Sequence, residues 1–252
     1  MTAPFFLVEP AALSTAVGSV VTIDGPEGRH AASVRRLGIG ERVQVGDGRG
    51  HVIEGVVSAV LGKDRVDVEV SSYVDHPAGS PRVVVVQALA KGDRSDLAVE
   101  LLTEVGADVV VPWSASRSVA VWKGDKAERG VEKWRVTARE AAKQSRRPWV
   151  PEVRGLASTS DIVALLRAAV DAGGAAAVLH EAATSRLVDL AWPRRGDVVL
   201  VVGPEGGIGG DELEAFTDAG AHAVRLGPSV LRTSTAGGVA ATLVLAATGR
   251  WT

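Results

Sequence analysis

Two patterns of apolar residues divide the chain. Up to residue 75 the apolar positions fall in short β-rich runs: Phe5–Val8, Ser19–Ile23, Arg42–Gly46, Val52–Val60 and Arg65–Val70. Asp47-Gly48 and Gly62-Lys63-Asp64 supply turns between them, since glycine reaches left-handed backbone and aspartate bonds its own main chain. One short helix fits near Gly28–Leu37. The pattern predicts a small β-barrel-like domain over 1–75. Asp75-His76-Pro77-Ala78-Gly79-Ser80-Pro81 then breaks the periodicity with two prolines and a glycine, which marks 76–81 as a linker.

From Arg82 to residue 252 the runs change character. Val83–Ala88 is continuously apolar, as a strand covered on both faces must be. Asp96 predicts a cap for a helix over Leu97–Val105, with Leu97, Leu101 and Val105 on one face and Gly106 as its stop. A strand follows at Asp108–Pro112, then a helix over Val131–Gln144 with Val131, Trp134, Ala138 and Ala141 inward. Ser160 predicts a cap for Asp161–Val170, whose Ile162, Leu165, Leu166 and Ala169 share a face. Strands at Ala175–Leu179, Val198–Val202 and Ala223–Arg225 and helices at Asp211–Asp218 and Thr235–Thr248 complete the pattern. Strands alternating with helices predict an α/β sheet, and ligands of such sheets sit outside the carboxyl ends of the strands.

Composition narrows the class. The chain of 252 residues is 46% hydrophobic and 23% charged, enough for a sizeable core. It has no cysteine, which excludes a disulfide scaffold, a thiolate zinc site and a cysteine nucleophile. His30, His51, His76, His180 and His222 show no paired ligand spacing, so no metal is expected. Met1–Val8 lacks a basic region followed by a long apolar run, and the longest apolar stretch, Gly237–Ala247, is too short to span a bilayer. A soluble cytoplasmic protein is expected. The net charge of −2 hides a local excess: residues 117–154 carry eleven basic against five acidic side chains. That segment is either a field that draws in a polyanion or a solvated helix face laced with charge pairs.

The candidate chemistry lies in two loops. Gly203-Pro204-Glu205-Gly206-Gly207 follows the strand-like run Asp197–Val202 and matches neither the dinucleotide fingerprint nor a phosphate loop. It is either a plain turn or a place where main-chain amides meet a ligand. Leu226-Gly227-Pro228-Ser229-Val230-Leu231-Arg232-Thr233-Ser234-Thr235-Ala236 runs into the last helix. Arg232 there either donates to a phosphate, carbonyl oxygen or developing oxyanion, or pairs with Glu205 or Glu212. His180-Glu181 closes the Ala175–Leu179 strand, where a histidine serves as a base, as a pocket wall or as surface.

These pieces, taken in order, resemble the RsmE family of SPOUT methyltransferases, which methylate N3 of uridine 1498 in 16S ribosomal RNA with S-adenosylmethionine. The resemblance rests on His30-Ala31-Ala32-Ser33-Val34-Arg35-Arg36 with Gly40 and Asp47-Gly48, then Lys91-Gly92-Asp93-Arg94 with Glu100 and Thr103-Glu104-Val105-Gly106-Ala107. It continues through Glu140-Ala141-Ala142-Lys143-Gln144-Ser145-Arg146-Arg147 with Pro151-Glu152, through His180-Glu181, and through both glycine loops, and so covers essentially the whole chain.

The resemblance implies a PUA-like RNA-binding barrel, a C-terminal domain with a deep trefoil knot, and a homodimer acting on the 30S subunit. It implies cofactor contacts at Leu179, His180, Val202, Gly203, Gly207, Ile208, Leu226, Gly227, Leu231, Arg232 and Ser234. Arg232, Glu205 and His180 become the catalytic candidates, Arg232 for charge developing on a uracil oxygen and either of the others, or a water, as base. RNA contacts are expected from Arg29, His30, Arg35, Arg36, Lys91, Arg94, Arg139, Lys143, Arg146 and Arg147. One departure stands out: the family pattern Leu-Gly-x-Arg-Ile/Val-Leu-Arg-x-Glu-Thr-Ala has Ser229 in place of its first arginine and Ser234 in place of its glutamate. A related methyltransferase acting on another RNA or a ribose hydroxyl, a non-catalytic RNA-binding protein, and a nucleotide-dependent metabolic enzyme are the competing readings.

Overall fold

In the computed structural model residues 3–251 are described, and they fall into two units. The first comprises residues 3–78 and 142–150. Its elements are β1 (Phe5–Leu7), β2 (Val20–Ile23), α1 (Gly25–Arg29), β3 (Arg42–Gly46), β4 (His51–Leu61) and β5 (Arg65–Asp75). The sheet order is β1-β3-β4-β5-β2, antiparallel except for the β1–β3 pair. Alternate residues face inward, so Val21, Ile23, Val43, Val45, Ile53, Val57, Val66 and Val68 make the core with Phe6. β5 continues to Asp75, past the expected end at Val70, because register shifts at Glu54/Gly55 and Val57/Ala59 let the twisted pair stay bonded. The helix expected at 28–37 starts at Gly25, continues as a π-helical turn over His30–Val34 and is followed by Arg36 at φ 55.

Residues 142–150 pack with this unit, although a linear division at 76–81 assigns them to the other. Val150 covers Phe5, Leu7 and Val52, and its N–H donates to Gly48 O at 3.0 Å. The Trp149 indole donates to His76 O at 2.9 Å. Lys143 pairs with Glu27 at 2.5 Å, both side chains being nearly buried.

The second unit comprises residues 79–141 and 151–251. It contains β6 (Arg82–Ala88), α2 (Arg94–Val105), β7 (Val109–Trp113), α3 (Asp125–Gln144, whose end belongs to the first unit), β8 (Glu152–Val153), α4 (Thr159–Asp171), β9 (Ala175–Leu179), β10 (Asp197–Val202), α5 (Gly210–Asp218), β11 (His222–Val224) and α6 (Thr233–Ala247). All six strands are parallel, in the order β11-β9-β10-β6-β7-β8. α4 and α5 cover one face, where Ile162, Leu166 and Phe216 meet Val84, Val86, Val199 and Val201, and Trp113 packs edge-on to Phe216 at 5.2 Å. α6 packs on β6 and β10 from the other face, against α2. The fold is therefore α/β, with an arrangement in which β6 and β10 lie at the centre and the chain departs from them in opposite directions.

Three expected details differ. α2 begins at Arg94 with Asp93 at its cap, and Asp96 lies in the first turn instead. Its buried face is Ala98, Val99, Leu102 and Thr103, while Leu97 is exposed, because the small residues allow α6 to come close. α4 is capped by Ser158 rather than Ser160: the Ser158 hydroxyl accepts from Asp161 N, and Asp161 accepts from Ser158 N.

Candidate active site

The carboxyl ends of β9, β10 and β11 open into a cavity of about 590 Å³. The residues Leu179, Val202 and Val224 end those strands and form its floor. Of the expected site residues, Leu179, His180, Val202, Gly203, Glu205, Gly207, Ile208, Leu226, Gly227, Leu231 and Arg232 all line it. Both glycine loops therefore face one space. Ser234 does not line it: that residue is buried at 3% exposure in the first turn of α6, and Thr233 and Ala236 reach the cavity in its place. α6 begins two residues earlier than its apolar period suggested, with Arg232 as its cap, and this turns Ser234 inward.

Close approach explains the glycines. Gly207 sits at φ +73. A Cβ on Gly206 would lie 2.9 Å from Arg117 O, and one on Gly203 would lie 2.7 Å from Ile208 Cγ1. The loop is thus folded against itself and against the chain at Arg117, leaving main-chain groups on the cavity side.

Arg232 holds the start of α6 with its carbonyl, which accepts from Thr235 N at 3.0 Å and Ala236 N at 2.9 Å. Its guanidinium pairs with neither expected carboxylate. Glu205 accepts from Lys91 N at 3.1 Å. Glu212 is buried and accepts from Ser116 N, the Ser116 and Thr159 hydroxyls and Gly209 N. Burial pushes the Glu212 carboxyl up, but those four donors outweigh it and hold the carboxyl below its ordinary value. Arg94, Arg117, Arg225 and Arg232 all line the cavity, and none forms an ion pair among the described residues. Unpaired guanidinium groups gathered at one opening favour an anionic visitor.

His180 is held at both ends: its N–H donates to Val224 O at 2.9 Å, and its Nδ1 accepts from Ala182 N at 3.2 Å. With Nδ1 accepting, the neutral ring carries its proton on Nε2 and presents a donor there. That suits a pocket wall better than a base.

Several residues at or beside the cavity are not legible in the sequence, Gln87 and Arg117 among them. Gln87 is fully buried inside an otherwise apolar strand and bonds the Thr233 hydroxyl at 3.1 Å. Arg117 was counted only as part of a basic segment. A single amide within Val83–Ala88 was the available signal for the first; nothing local distinguishes the second.

The expected RNA contacts scatter. Arg94 stands at the cavity itself, and Lys91 is exposed on the loop that reaches Glu205. Arg29, Arg35 and Arg36 are exposed on the first unit, but His30 is half-buried with its ring edge-on to Phe6 at 6.1 Å. Arg146 is exposed and Arg147 and Arg139 lie in or beside α3. Lys143 is a correction: its ammonium is buried against Glu27, so it serves the packing of residues 142–150 rather than an exposed surface. Among the described residues no cluster of three or more His, Cys, Asp or Glu could hold a metal ion, and no helix is long and apolar enough to cross a membrane.

Comparison with known proteins places this geometry. A family model described as an RNA methyltransferase domain matches residues 78–245, and one described as an RNA methyltransferase PUA domain matches 23–71. The ribosomal RNA small subunit methyltransferase E of Mycobacterium bovis is 50% identical over 234 residues, covering 93% of this chain and 89% of the relative. The protein of the same name from Bacillus subtilis is 29% identical over 219 residues, 85% of each chain. The crystal structure of a ribosomal RNA small subunit methyltransferase E from Neisseria gonorrhoeae bound to S-adenosyl methionine superposes with a TM-score of 0.82 at 25% identity, over 97% of this chain and 98% of that one.

Proposed function

Since the chain belongs to the RNA methyltransferase family, in its ribosomal RNA small subunit methyltransferase E branch, we infer that it methylates the RNA of the small ribosomal subunit, at N3 of uridine 1498, with S-adenosylmethionine as donor. One observation carries the reading to this chain: loops 203–207 and 226–232 line a single cavity whose arginines have no acidic partners.

The cavity suits that cofactor. Its volume lies in the range of small-molecule sites. Val202, Ile208, Leu226 and Leu231 give apolar walls for an adenine, and Gly203, Gly207 and Gly227 bring the main chain, with no side chain in the way, to the cavity wall beside its edges and a ribose. When bound, S-adenosylmethionine supplies a methyl group made electrophilic by its sulfonium. The protein must then favour the deprotonated uracil ring. The Arg232 guanidinium, free of carboxylates, stabilises negative charge on a uracil carbonyl oxygen. Glu205 is the base in this assignment: Lys91 N occupies one of its oxygens and leaves the other able to accept a proton. His180 orients rather than deprotonates, since its accepting nitrogen is already engaged. Arg94 and Arg117 hold phosphates on either side of the target nucleotide.

The finer features are part of the same proposal. The tail from Leu226 onward is knotted through the 203–207 region, which is supported by both segments facing one cavity. A homodimer is supported by Leu97, Val230 and Val239, apolar side chains that stand exposed on the second unit. Action in the cytoplasm follows from the substrate.

The test is methyl transfer from labelled S-adenosylmethionine to 30S subunits that lack the modification, with the product nucleoside identified. N3-methyluridine at the expected position supports the reading. Transfer to another position or to a ribose oxygen replaces the target. Cofactor binding with no transfer to any RNA supports a binding protein that kept the fold.

A further inference from the structure

Gln87 is the one polar side chain in the buried strand Arg82–Ala88 beyond its first residue, and it is 0% exposed. Its register neighbours are Val202 on β10 and Pro112 on β7, so it sits beneath the point where the 203–207 loop departs. The amide nitrogen contacts Thr233 Oγ1 at 3.1 Å, Ala88 O at 3.2 Å and Thr233 O at 3.4 Å. Two carbonyl oxygens on that side fix it as the NH₂ end. The Thr233 hydroxyl therefore accepts from Gln87 and must send its own proton elsewhere. It donates to Gly203 O at 2.7 Å. The other end of the amide, Oε1, is buried with no hydrogen-bond partner.

An orphaned acceptor in the core is a standing penalty that leucine or methionine at this position would avoid. What the glutamine provides is direction. By donating to Thr233 it aims that hydroxyl at Gly203. The resulting bond joins the first residue of one cavity loop to the residue beside Arg232 in the other. We propose that Gln87 is a positioning residue: acting through Thr233, it sets the spacing between Gly203 and Arg232 and hence the width of the cofactor cavity. This rests on the reading of the cavity as an S-adenosylmethionine site.

Calorimetric titration of S-adenosylmethionine, with thermal melting in parallel, tests it on the full chain. Gln87→Met keeps the volume and removes both the directing donor and the orphaned oxygen. It is expected to melt within about 2 °C of wild type and to bind the cofactor on the order of tenfold more weakly. Thr233→Val should lose a similar factor, Thr233→Ser should bind as wild type, and the double variant Gln87→Met, Thr233→Val should be no weaker than either single one. Wild-type affinity in folded Gln87→Met or Thr233→Val overturns the proposal. So does a loss that Thr233→Ser shares, a loss that adds in the double variant, or a large fall in melting temperature for Gln87→Met, which would make the amide a structural group. Failure of the wild-type chain to bind the cofactor at all instead overturns the methyltransferase reading, so the two failures are distinct.

Discussion

Ser116 is held by Glu212 through two hydrogen bonds of 2.8 Å, one from its main-chain N–H to Oε1 and one from its hydroxyl to Oε2. The carboxylate thus ties the start of α5 to the loop that carries Arg117 into the cavity.

Glu212→Ala takes the shared acceptor from four part-buried donors at once. Water reaches those donors in part, so the loss expected in urea unfolding is about 1–2 kcal/mol, nearer the net worth of hydrogen bonds to a charged group than the penalty for fully buried orphans. The pH dependence has a definite sign. Hydrogen bonds depress the Glu212 carboxyl in the folded state, so its contribution is complete above the unfolded value of about 4.3 and fades as pH falls through the folded one. The gap in unfolding free energy between wild type and Glu212→Gln should therefore be larger at neutral pH than at about pH 3. A gap that widens on acidification contradicts the assignment.

Arg232→Ala removes a guanidinium that supports no ion pair, so folding should be untouched. Turnover should fall by about 10²–10³, as when an oxyanion donor is lost, with cofactor affinity changed by less than about threefold. Steady-state kinetics on 30S subunits and calorimetry with the cofactor separate the two effects, and unchanged turnover removes Arg232 from the reaction.

Gly206→Ala places a methyl group 2.9 Å from the Arg117 carbonyl oxygen, a main-chain atom rather than the tip of a flexible side chain. The 203–207 loop must shift away, and cofactor affinity should drop on the order of tenfold while melting temperature changes by only a few degrees. Wild-type affinity would show that the loop tolerates the shift.

Lys143→Met leaves the Glu27 carboxylate buried with no cation, and Oε2 of that residue already has no partner. Breaking a buried pair in this way costs about 3–5 kcal/mol. Replacing both residues, as Glu27→Met with Lys143→Met, should recover much of it in chemical unfolding. A single-variant cost under about 1 kcal/mol would mean that solvent screens the pair.

RNA affinity should fall steeply with salt, because the expected partners of Arg94, Arg117 and the exposed arginines of the first unit are phosphates. Cofactor affinity, which rests on apolar walls and main-chain groups, should stay nearly flat from about 50 to 200 mM salt. Parallel titrations of both ligands check this, and a flat RNA response removes the phosphate contacts.

Legibility followed the physics of each element. Arg42–Gly46 and Ala175–Leu179 have the bounds their patterns predict, since turns delimit one and glycines and a polar pair the other. Both glycine loops were recognisable because their spacing follows the ends of apolar runs. The buried face of α2 was not: Ala98 and Thr103 pack inward while the larger Leu97 stands out, a choice made by the approach of α6 rather than by hydrophobicity. Strand order was hidden because parallel strands buried on both faces read alike. Lys143 looked like surface because its partner Glu27 is far away in sequence. Glu212 read as a candidate partner for Arg232, and only the fold shows that four other donors occupy it.

The return of residues 142–150 to the first unit imposes a timetable on synthesis. Phe5, Leu7 and Val52 are covered by Val150, and the Trp149 and Lys143 contacts come from the same stretch. A nascent chain that has emerged only to residue 78 holds all five strands of the first sheet but none of that cover. At about 5–20 residues per second the missing piece arrives roughly 4–15 s later, after β6, α2, β7 and α3 have been made. The amino-terminal unit is therefore finished only after more than a third of its successor has been made, and a gene fragment cut at the apparent linker encodes a sheet with an apolar wound.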